Sequence, residues 1–473
     1  MADRIVVPGL DTLEQDTLDG LLTHLDEKAG RNLLRASYYD GKRAIRQVGS
    51  VIPPQYYRLG IVLGWSAKAV DMLARRCNLD GIIWPDGDLG DLGLAELWDG
   101  NLLDSTFTQA ETSGLIHAVA FLLTTRGAPD EPAALIHAKD ALSAAGHWNA
   151  RARRLDSLVS VHERADNGTP TALTLYLPGL TITCAKSGGW AVEDRQEHPW
   201  GVPAEALVYR PRTGRPLGSS RIRRTVMSLH DQALRTVIRM EGHADVYSFP
   251  EMWMLGADES IFTDDQGVPK AAWQVMLGRI KGIPDDEDAT QPRADVKQFP
   301  ASNPTPHITQ LEQQAQLFAG ETSIPLTSLG VSDQSNPTSA DSYIASREDL
   351  IAEAEGCTDD WSPAIRRTIA RALAIQNGLA EVPPEWASIA PKWRSPVHLS
   401  KSAAADAGTK QLAAVPWLAD TEVGLEMLGL TDQQITRALA ERHRLGGSAA
   451  IQDIRQAVES SQPAVTGADV VAG

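Results

Sequence analysis

The spacing of apolar residues changes twice along this chain of 473 residues, and that change restricts the fold more than any other feature. In the first part, apolar residues recur every three to five positions, which is typical of amphipathic helices. Between residues 133 and 209 the period shortens toward two, and Gly, Pro and Asn separate the runs, which indicates strands joined by turns. The helical spacing returns after residue 218. The sequence therefore predicts an α+β fold that is mainly helical, with a β-rich module inserted after the N-terminal helices.

The same patterns place the individual elements. The first helix carries Leu10, Leu13, Leu18, Leu21, Leu22 and Leu25, and further helices are predicted at 61–76, 89–103, 403–415, 421–428 and 431–444. Strands are predicted at 82–84, 134–138, 158–161, 172–177, 181–185 and 393–399. The apolar run 114–125 predicts a buried helix, because it is shorter than the roughly 20 residues a membrane helix needs. Residues 447–473 have little periodicity and predict a frayed tail.

Composition and motifs argue against several classes of protein. A net charge of −17 argues against a surface that grips nucleic acid everywhere, and the three cysteines, Cys77, Cys184 and Cys357, are too few and too scattered for a disulfide framework or a four-thiolate zinc site. No phosphate-binding loop, zinc-protease or deaminase motif, or hydrolase elbow occurs. We expect His117, His137, His147 and His162 to be structural or surface residues. We therefore expect no catalytic residue, cofactor site or metal site.

An arginine-rich segment is the main exception to the acidic composition. After Gly218, Ser219 or Ser220 is positioned to cap a helix in which Ile222, Val226, Leu229, Ala233, Val237 and Met240 form one apolar face. Residues 209–239 hold eight arginines and one acid, a local net charge of +7. Two interpretations of the stripe Arg221, Arg224, Arg235 and Arg239 stay open: a solvated face with ion pairs between subunits, or a face turned toward phosphates.

The segment after this helix suggests a stalk with a tip. An insertion at 245–306 contains a strand-like 245–249, an amphipathic 270–280 and the acidic run Asp285, Asp286, Glu287 and Asp288, which we expect to be a solvated loop or partner surface rather than a metal site. A second helix is predicted at 307–319. A polar loop at 332–339 then precedes a long helix capped by Thr338 or Ser339, which Pro363 would kink or restart after Trp361.

Several motifs in this order resemble the portal proteins of tailed, double-stranded DNA bacteriophages, of the type with long noncontractile tails. The resemblance is carried by Ile324-Pro325-Leu326, by Leu329-Gly330-Val331 and by the run from Asn336 to Ile344. Weaker agreement comes from Tyr38-Tyr39-x-Gly41, Gly218-x-Ser220, the insertion at 245–306, and Ala404-Ala405-Asp406 followed by Lys410. The motifs span nearly the whole chain, and their order makes the resemblance more specific than any one of them.

The resemblance implies a division of the chain into the parts of a portal subunit. The wing would comprise 1–216, with helices followed by the β-rich module, and 340–399, with the long helix and a strand. The stem would be 217–244 and 307–324, the clip 245–306, the tunnel loop 325–339, and the crown with its flexible tail 400–473. Such subunits would assemble into a ring around a central channel.

The same resemblance implies the function and the partners. The ring, of about twelve subunits, would sit at the unique capsid vertex and conduct double-stranded DNA during packaging and ejection, without sequence specificity. The clip, with Asp285–Asp288, would dock the large terminase subunit and then the head-completion adaptor, and the ring would also meet the major capsid and scaffold proteins. Assembly would take place in the host cytoplasm, without a membrane. The DNA-facing residues would be Ser332, Asp333, Gln334, Ser335, Asn336, Thr338 and Ser339.

Two other classes of protein stay open at this point. Another ring or adaptor protein of the virion would hold residues 325–345 away from a central axis. A phage hydrolase would bring together acids that are dispersed in the sequence, such as Asp104, Glu111 and Asp140.

Overall fold

The computed structural model of this chain describes residues 4–42, 60–247, 252–255, 266, 280–283, 295–298, 302–331, 347–397, 401–431 and 433–445. The chain forms two compact units, Met1–Pro396 and Val397–Gly473. Helices and strands are mixed, as predicted. The predicted tail at 447–473 lies outside the described residues.

The first unit opens with helices, as the leucine spacing predicts. In α1 (Thr12–Tyr39) the Asp11 carboxylate accepts the Glu14 N–H, and the Glu14 carboxylate accepts the Asp11 N–H, a capping box that satisfies two exposed donors. The helix buries Leu18, Leu21 and Leu25 against the β-rich module. The shorter helices α2 (Trp65–Ala74), α3 (Leu94–Gly100) and α4 (Leu103–His117) follow.

The predicted β-rich module is confirmed. Its strands are β2 (Val119–Arg126), β3 (Ala134–Asp140), β4 (Ala144–Asn149), β5 (Arg154–Arg164), β6 (Pro170–Leu177), β7 (Leu180–Ser187), β8 (Gly189–Glu197) and β9 (Ala204–Val208). Strands β4 to β8 form an antiparallel sheet in sequence order, while β2 pairs with both β3 and β9 in a second antiparallel sheet. Outside the module, β1 (Leu79–Ile83) pairs with β13 (Ala390–Trp393).

Several predicted boundaries are wrong. The apolar run 114–125 is not one buried helix: α4 ends at His117, Ala118 takes a φ of +93°, and β2 begins at Val119. The polar helix expected within 89–103 is present but is limited to α3, and α4 begins after Leu102, whose φ is +48°. The helix predicted at 61–76 is limited to α2. The strand expected at 393–399 lies earlier, in β13, and only Trp393 is shared.

Three long helices follow the module: α5 (Arg224–Tyr247), α6 (Thr305–Thr322) and α7 (Glu348–Gln376). Between α5 and α6 lie short strands β10 (Met252–Leu255), β11 (Ile280–Ile283) and β12 (Asp295–Gln298), with β10 in the middle. The strand expected at 245–249 is wrong for 245–247, because α5 continues to Tyr247. Most of the predicted 270–280 element lies outside the described residues.

The core of the first unit lies around α7. Pro363 lies inside this helix, with its side chain exposed. Since the helix continues to Gln376, the predicted restart after Trp361 does not occur. Trp361 is fully buried, and its Nε1 donates to the Val208 carbonyl oxygen at 3.0 Å. Ile365, Ile369 and Leu373 continue the same buried face one turn at a time, which fixes α7 against the sheet containing β2 and β9.

The second unit is helical where the structure describes it. It contains α8 (Lys401–Ala414), α9 (Glu422–Met427) and a helical segment at 433–445. Thr421 caps α9, its Oγ1 accepting the Gly424 N–H at 3.2 Å, as its place before an apolar run predicts.

Candidate functional site

Helices α5 and α6 form an antiparallel pair. At one end, Thr225 near the start of α5 donates to Glu321 near the end of α6 at 2.6 Å, and Arg223 lies 2.9 Å from the same carboxylate. At the other end, the rings of His243 and His307 lie 5.4 Å apart. The two helices therefore run alongside each other for most of their length, as expected for a stalk.

The start of α5 and the end of α6 pack onto the rest of the first unit. Val226, Ala233, Ala315 and Phe318 are buried where α5 meets α6, together with Trp65 and Ala69 of α2 and Ile324 beyond α6. The Trp65 and Phe318 rings lie 5.3 Å apart in a tilted arrangement. Burial of two aromatic side chains accounts for much of the contact free energy at such a junction.

Polar contacts hold α5 to α1 and α2 as well. The Tyr38 hydroxyl donates to an Asp231 carboxylate oxygen at 2.9 Å, and the Ser66 hydroxyl and the His230 Nδ1 lie 2.9 Å apart in the interior. The Tyr38 ring meets the His230 ring edge-on at 5.2 Å. Because buried polar groups require partners, these bonds fix the rotation of α5 about its axis as well as its position.

Arg221, just before α5, is the centre of the junction. Its guanidinium contacts Glu353 of α7 at 2.6 Å, the Tyr209 hydroxyl at 3.1 Å and the Thr322 carbonyl oxygen at 2.7 Å, and its Nε donates to the Ala69 carbonyl oxygen. One side chain thus connects α2, the segment after β9, the end of α6 and α7. We call Arg221, Glu353 and Tyr209 the stem-base cluster.

Charge pairing makes this burial possible. Burial alone would raise the pKa of Glu353, but the positive charge of Arg221 and a hydrogen bond from Tyr209 outweigh it and lower that pKa. Burial alone would lower the pKa of Arg221, but Tyr209 and Glu353 raise it. Arg210 adds a second cation 2.6 Å from Glu353 at the exposed edge. Both groups of the buried pair are therefore charged, and removing one leaves the other unpaired in the interior.

Gly218 and Ser220 shape the turn that brings Arg221 into the cluster. Gly218 has a φ of +70°, and a Cβ there would lie 2.2 Å from the Tyr209 carbonyl oxygen, so only glycine fits. The Ser220 hydroxyl donates to the Ile116 carbonyl oxygen and accepts the Ile222 N–H at 2.9 Å. The expectation that Ser219 or Ser220 caps the helix is wrong, because α5 begins at Arg224 and Ser220 stabilises the turn before it.

The structure separates the four arginines of the predicted stripe. Arg221 does not belong to a surface stripe, because it is buried inside its own subunit by Glu353 and Tyr209. Arg224 is exposed and Arg235 half-buried on α5, and within the described residues neither has a carboxylate partner. Arg239 is half-buried on the same helix. Arg221 therefore does not form part of the predicted face.

The other predicted site residues lie outside the described residues. These are the DNA-facing loop residues from Ser332 to Ser339 and the acidic run Asp285–Asp288. The part of the loop segment that is described ends at Val331, after a short 3₁₀ turn at Leu326–Leu329. Both sets of residues stay predictions.

Nothing in the described ranges forms a metal site or a membrane span. No group of three or more His, Cys, Asp or Glu residues among them could hold an ion. No described helix is both long and apolar enough to cross a bilayer. Cys77, Cys184 and Cys357 are free and buried. His162 is exposed on β5, with its Nε2 2.8 Å from the Thr174 Oγ1, and desolvation lowers its pKa to about 4.

Glu353 and Tyr209 are missed by the sequence patterns. An arginine-rich run predicts exposed side chains rather than a buried ion pair. The carboxylate that neutralises Arg221 belongs to Glu353, which lies on another helix far along the chain. The one available signal is that Arg221 directly precedes the apolar Ile222, at a point where the chain must turn inward.

Comparisons with known proteins agree with the resemblance. The model of the family described as "Phage portal protein, SPP1 Gp6-like" matches residues 18–445. A portal protein of Mycobacterium phage L5 is 25% identical over 414 residues, covering 85% of this chain and 84% of that protein. A portal protein of Mycobacterium phage D29 is 24% identical over the same length and coverage.

Two solved structures overlap more loosely. A chain from the neck of a native gene transfer agent particle, computed with C12 symmetry, has a TM-score of 0.41 at 14% identity, covering 77% of this chain and 89% of that one. A chain from the virion of a native gene transfer agent has a TM-score of 0.38 at 16% identity with the same coverages. The sequence match is the stronger evidence, and portal proteins are structural rather than enzymatic, as expected for this chain. The chain belongs to the SPP1 Gp6-like family of phage portal proteins.

Proposed function

We propose that this portal-family chain assembles into a closed ring of about twelve copies at the unique vertex of a phage capsid. Double-stranded DNA passes through the centre of the ring during packaging and again during ejection. The observation that carries the proposal is the family match across residues 18–445. The protein's place is then the portal vertex of the virion, after assembly in the host cytoplasm.

The antiparallel helix pair supports the assignment of a stem. Helices α5 and α6 correspond to the proposed stem segments 217–244 and 307–324, and the insertion between them, 245–306, is the proposed clip. A stem that surrounds a channel must transmit force to the body of the ring. The stem-base cluster supports this role, because it ties the start of α5 and the end of α6 to α2 and α7.

The remaining parts follow the same division. The wing consists of 1–216 together with the long helix and strand of 340–399, and the crown with its tail occupies 400–473. The beginning of the second compact unit at Val397 supports a boundary close to residue 400.

The tunnel loop is the proposed contact with DNA. Residues 332–339 hold Ser, Gln, Asn and Thr side chains and one carboxylate, Asp333. Each phosphate neutralised by a cation adds affinity and would slow translocation, so a neutral polar loop suits a channel that conducts DNA without holding it. Arg224, Arg235 and Arg239 then face either the lumen or a neighbouring subunit.

The proposed partners meet the two ends of the ring. The clip, with its acidic run Asp285–Asp288, docks the large terminase subunit during packaging and the head-completion adaptor afterwards. The major capsid and scaffold proteins contact the ring within the shell.

Native mass spectrometry of the purified full-length chain, with negative-stain imaging of the same sample, tests the proposed assembly. We expect a particle of about twelve times the 51.1 kDa subunit mass, with an open central hole. A monomer or dimer at micromolar concentration, both alone and with scaffold protein, would contradict the ring.

A further inference from the structure

A cavity of about 470 Å³ lies between α1, strands β2 and β4, and the loop that contains Arg215 and Gly218. Its lining contains four cationic side chains, Lys28, Arg31, Arg35 and Arg215, and no Asp or Glu among the described lining residues. It also contains His24 and His117, and burial lowers the pKa of both. In a chain with a net charge of −17, so strong a local excess of cations needs an explanation.

The helix α1 supplies most of this charge from one face. His24, Lys28, Arg31 and Arg35 follow one another at intervals of four, three and four, so they project from the same side of the helix. Arg215 approaches from the loop between β9 and α5. Two separate parts of the chain therefore direct cations into one space.

Arg35 is held in place by hydrogen bonds within the protein. Its Nη1 donates to the His117 carbonyl oxygen at 2.8 Å and to the Asn32 Oδ1 at 3.2 Å, and the buried Asn32 is itself fixed by a bond to the Ala141 carbonyl oxygen at 2.9 Å. Within the described residues its Nε and Nη2 have no hydrogen-bond partner. Burial, together with the nearby Arg31 and Arg215, lowers the pKa of Arg35 to about 10. The three guanidinium groups therefore repel one another.

His117 provides an independent observation. It lines the cavity and is 6% exposed, and its Nδ1 is buried without a hydrogen-bond partner in the described structure. A buried polar atom without a partner costs free energy that a bound group would recover.

The nearby carboxylates do not neutralise the cavity. Asp140 influences His117 electrostatically, but its Oδ1 accepts the N–H groups of Leu142 and Ser143 and the Ser143 hydroxyl. Glu27 lies 3.9 Å from Lys28, a weak contact at the surface. Arg31 and Arg215 have no carboxylate partner within the described part of the chain.

We propose that this cavity binds a phosphate group, with Arg31, Arg35 and Arg215 donating hydrogen bonds to its oxygens and His117 completing the site. A guanidinium group pairs with a phosphate through two parallel hydrogen bonds. A single carboxylate needs only one such group, so three guanidinium groups around one cavity suit a phosphate better than a carboxylate. The phosphate belongs either to a small free anion or to a nucleic acid backbone.

Isothermal titration of the full-length protein with inorganic phosphate, at constant ionic strength, tests the site. We expect saturable binding that weakens at least about tenfold in the double variant Arg31→Gln/Arg215→Gln, since each charge-assisted bond contributes more than a neutral one. Both arginines are exposed, so the variant should fold, which circular dichroism checks. The control is Arg366→Gln, an exposed arginine on α7 outside the cavity, which should bind as the wild type does.

A second titration with short duplex DNA identifies the source of the phosphate. If the double variant loses DNA binding and inorganic phosphate competes with DNA, the ligand is a nucleic acid backbone. If DNA binding is unchanged while phosphate binding is lost, the ligand is a small anion. The proposal is overturned if no saturable phosphate binding occurs up to about 10 mM phosphate. It is also overturned if Arg366→Gln weakens phosphate binding as much as the double variant does.

Discussion

The guanidinium of Arg221 lies 2.6 Å from the carboxylate of Glu353, and the two side chains expose only 3% and 9% of their surfaces. This ion pair joins the segment just before α5 to the long helix α7. Desolvation of both charges is costly, so the pair contributes little as an isolated interaction, but it makes the junction intolerant of change on either side. The start of α5 and the end of α6 are thereby fixed to α7 at one defined position.

Replacing Glu353 with Ala should strongly destabilise the first unit. The change leaves the Arg221 guanidinium buried without its counter-charge, and the loss of one partner of a buried pair costs about 3–5 kcal/mol. Urea denaturation followed by tryptophan fluorescence measures the free energy of unfolding.

The control for this change is Asp406→Asn, which breaks the exposed pair between Asp406 and Lys410 in the second unit. An exposed pair of this kind contributes at most about 0.5 kcal/mol. Equal effects of the two substitutions would show that the buried pair does not anchor α5 to α7.

Glu111 should make stability fall as the pH rises. It is 2% exposed, its Oε1 has no partner within the described structure, and burial followed by the nearby Cys357 raises its pKa well above 4.5. Above pH 4.5 the folded protein keeps the Glu111 proton while the unfolded chain releases it. The contribution of Glu111 to the free energy of unfolding is therefore complete at low pH and is lost as the pH rises.

The variant Glu111→Gln removes this dependence. We expect it to unfold at a higher urea concentration than the wild type at pH 8 and at about the same concentration at pH 4, since each unit of pKa difference corresponds to about 1.4 kcal/mol. A variant that is less stable than the wild type at pH 8 would show that Glu111 is ionised and paired.

Gly218→Ala should disturb the turn that leads into α5. A Cβ at this position would lie 2.2 Å from the Tyr209 carbonyl oxygen, and alanine would have to adopt the unfavourable φ of +70° that Gly218 has. We expect a loss of about 2 kcal/mol or more. Gly214→Ala in the same loop has open space around its Cβ and should change stability by less than about 0.5 kcal/mol. Thermal unfolding compares them, and similar midpoints would refute the steric argument.

Phe318→Ala should loosen the stem pair. Phe318 is fully buried where α6 meets α5 and Trp65, whereas the adjacent Leu317 is 60% exposed. Truncating a buried phenylalanine costs about 3–5 kcal/mol, while Leu317→Ala should cost less than about 0.5 kcal/mol. Hydrogen exchange of residues 224–240 reports the effect locally. Unchanged protection in the Phe318 variant would mean that α5 does not depend on α6.

The sequence predicted the elements whose apolar spacing is regular. The period of two placed β3, β5, β6 and β7 of the β-rich module but not β2, β4, β8 and β9, and the steps of three and four from Ile222 to Met240 placed α5. The run 114–125 could not be assigned in this way, because a continuous apolar run suits a buried strand as well as a helix, and the change at Ala118 depends on a left-handed backbone angle.

The site was harder to predict than the fold. Arg221 was grouped with surface arginines because charge patterns report neighbours along the chain, whereas its partners Glu353 and Tyr209 are brought in by tertiary packing. The basic cavity has the same origin, since Arg215 joins the α1 residues only after the loop before Gly218 has folded.

Electron cryomicroscopy of the purified oligomer locates residues 325–345 relative to the symmetry axis and so tests the proposed ring. We expect a closed ring of about twelve subunits, with residues 332–339 lining the central hole and the paired helices α5 and α6 surrounding it. A map in which residues 332–339 lie at the outer circumference, or in which the subunits form no ring, would contradict it.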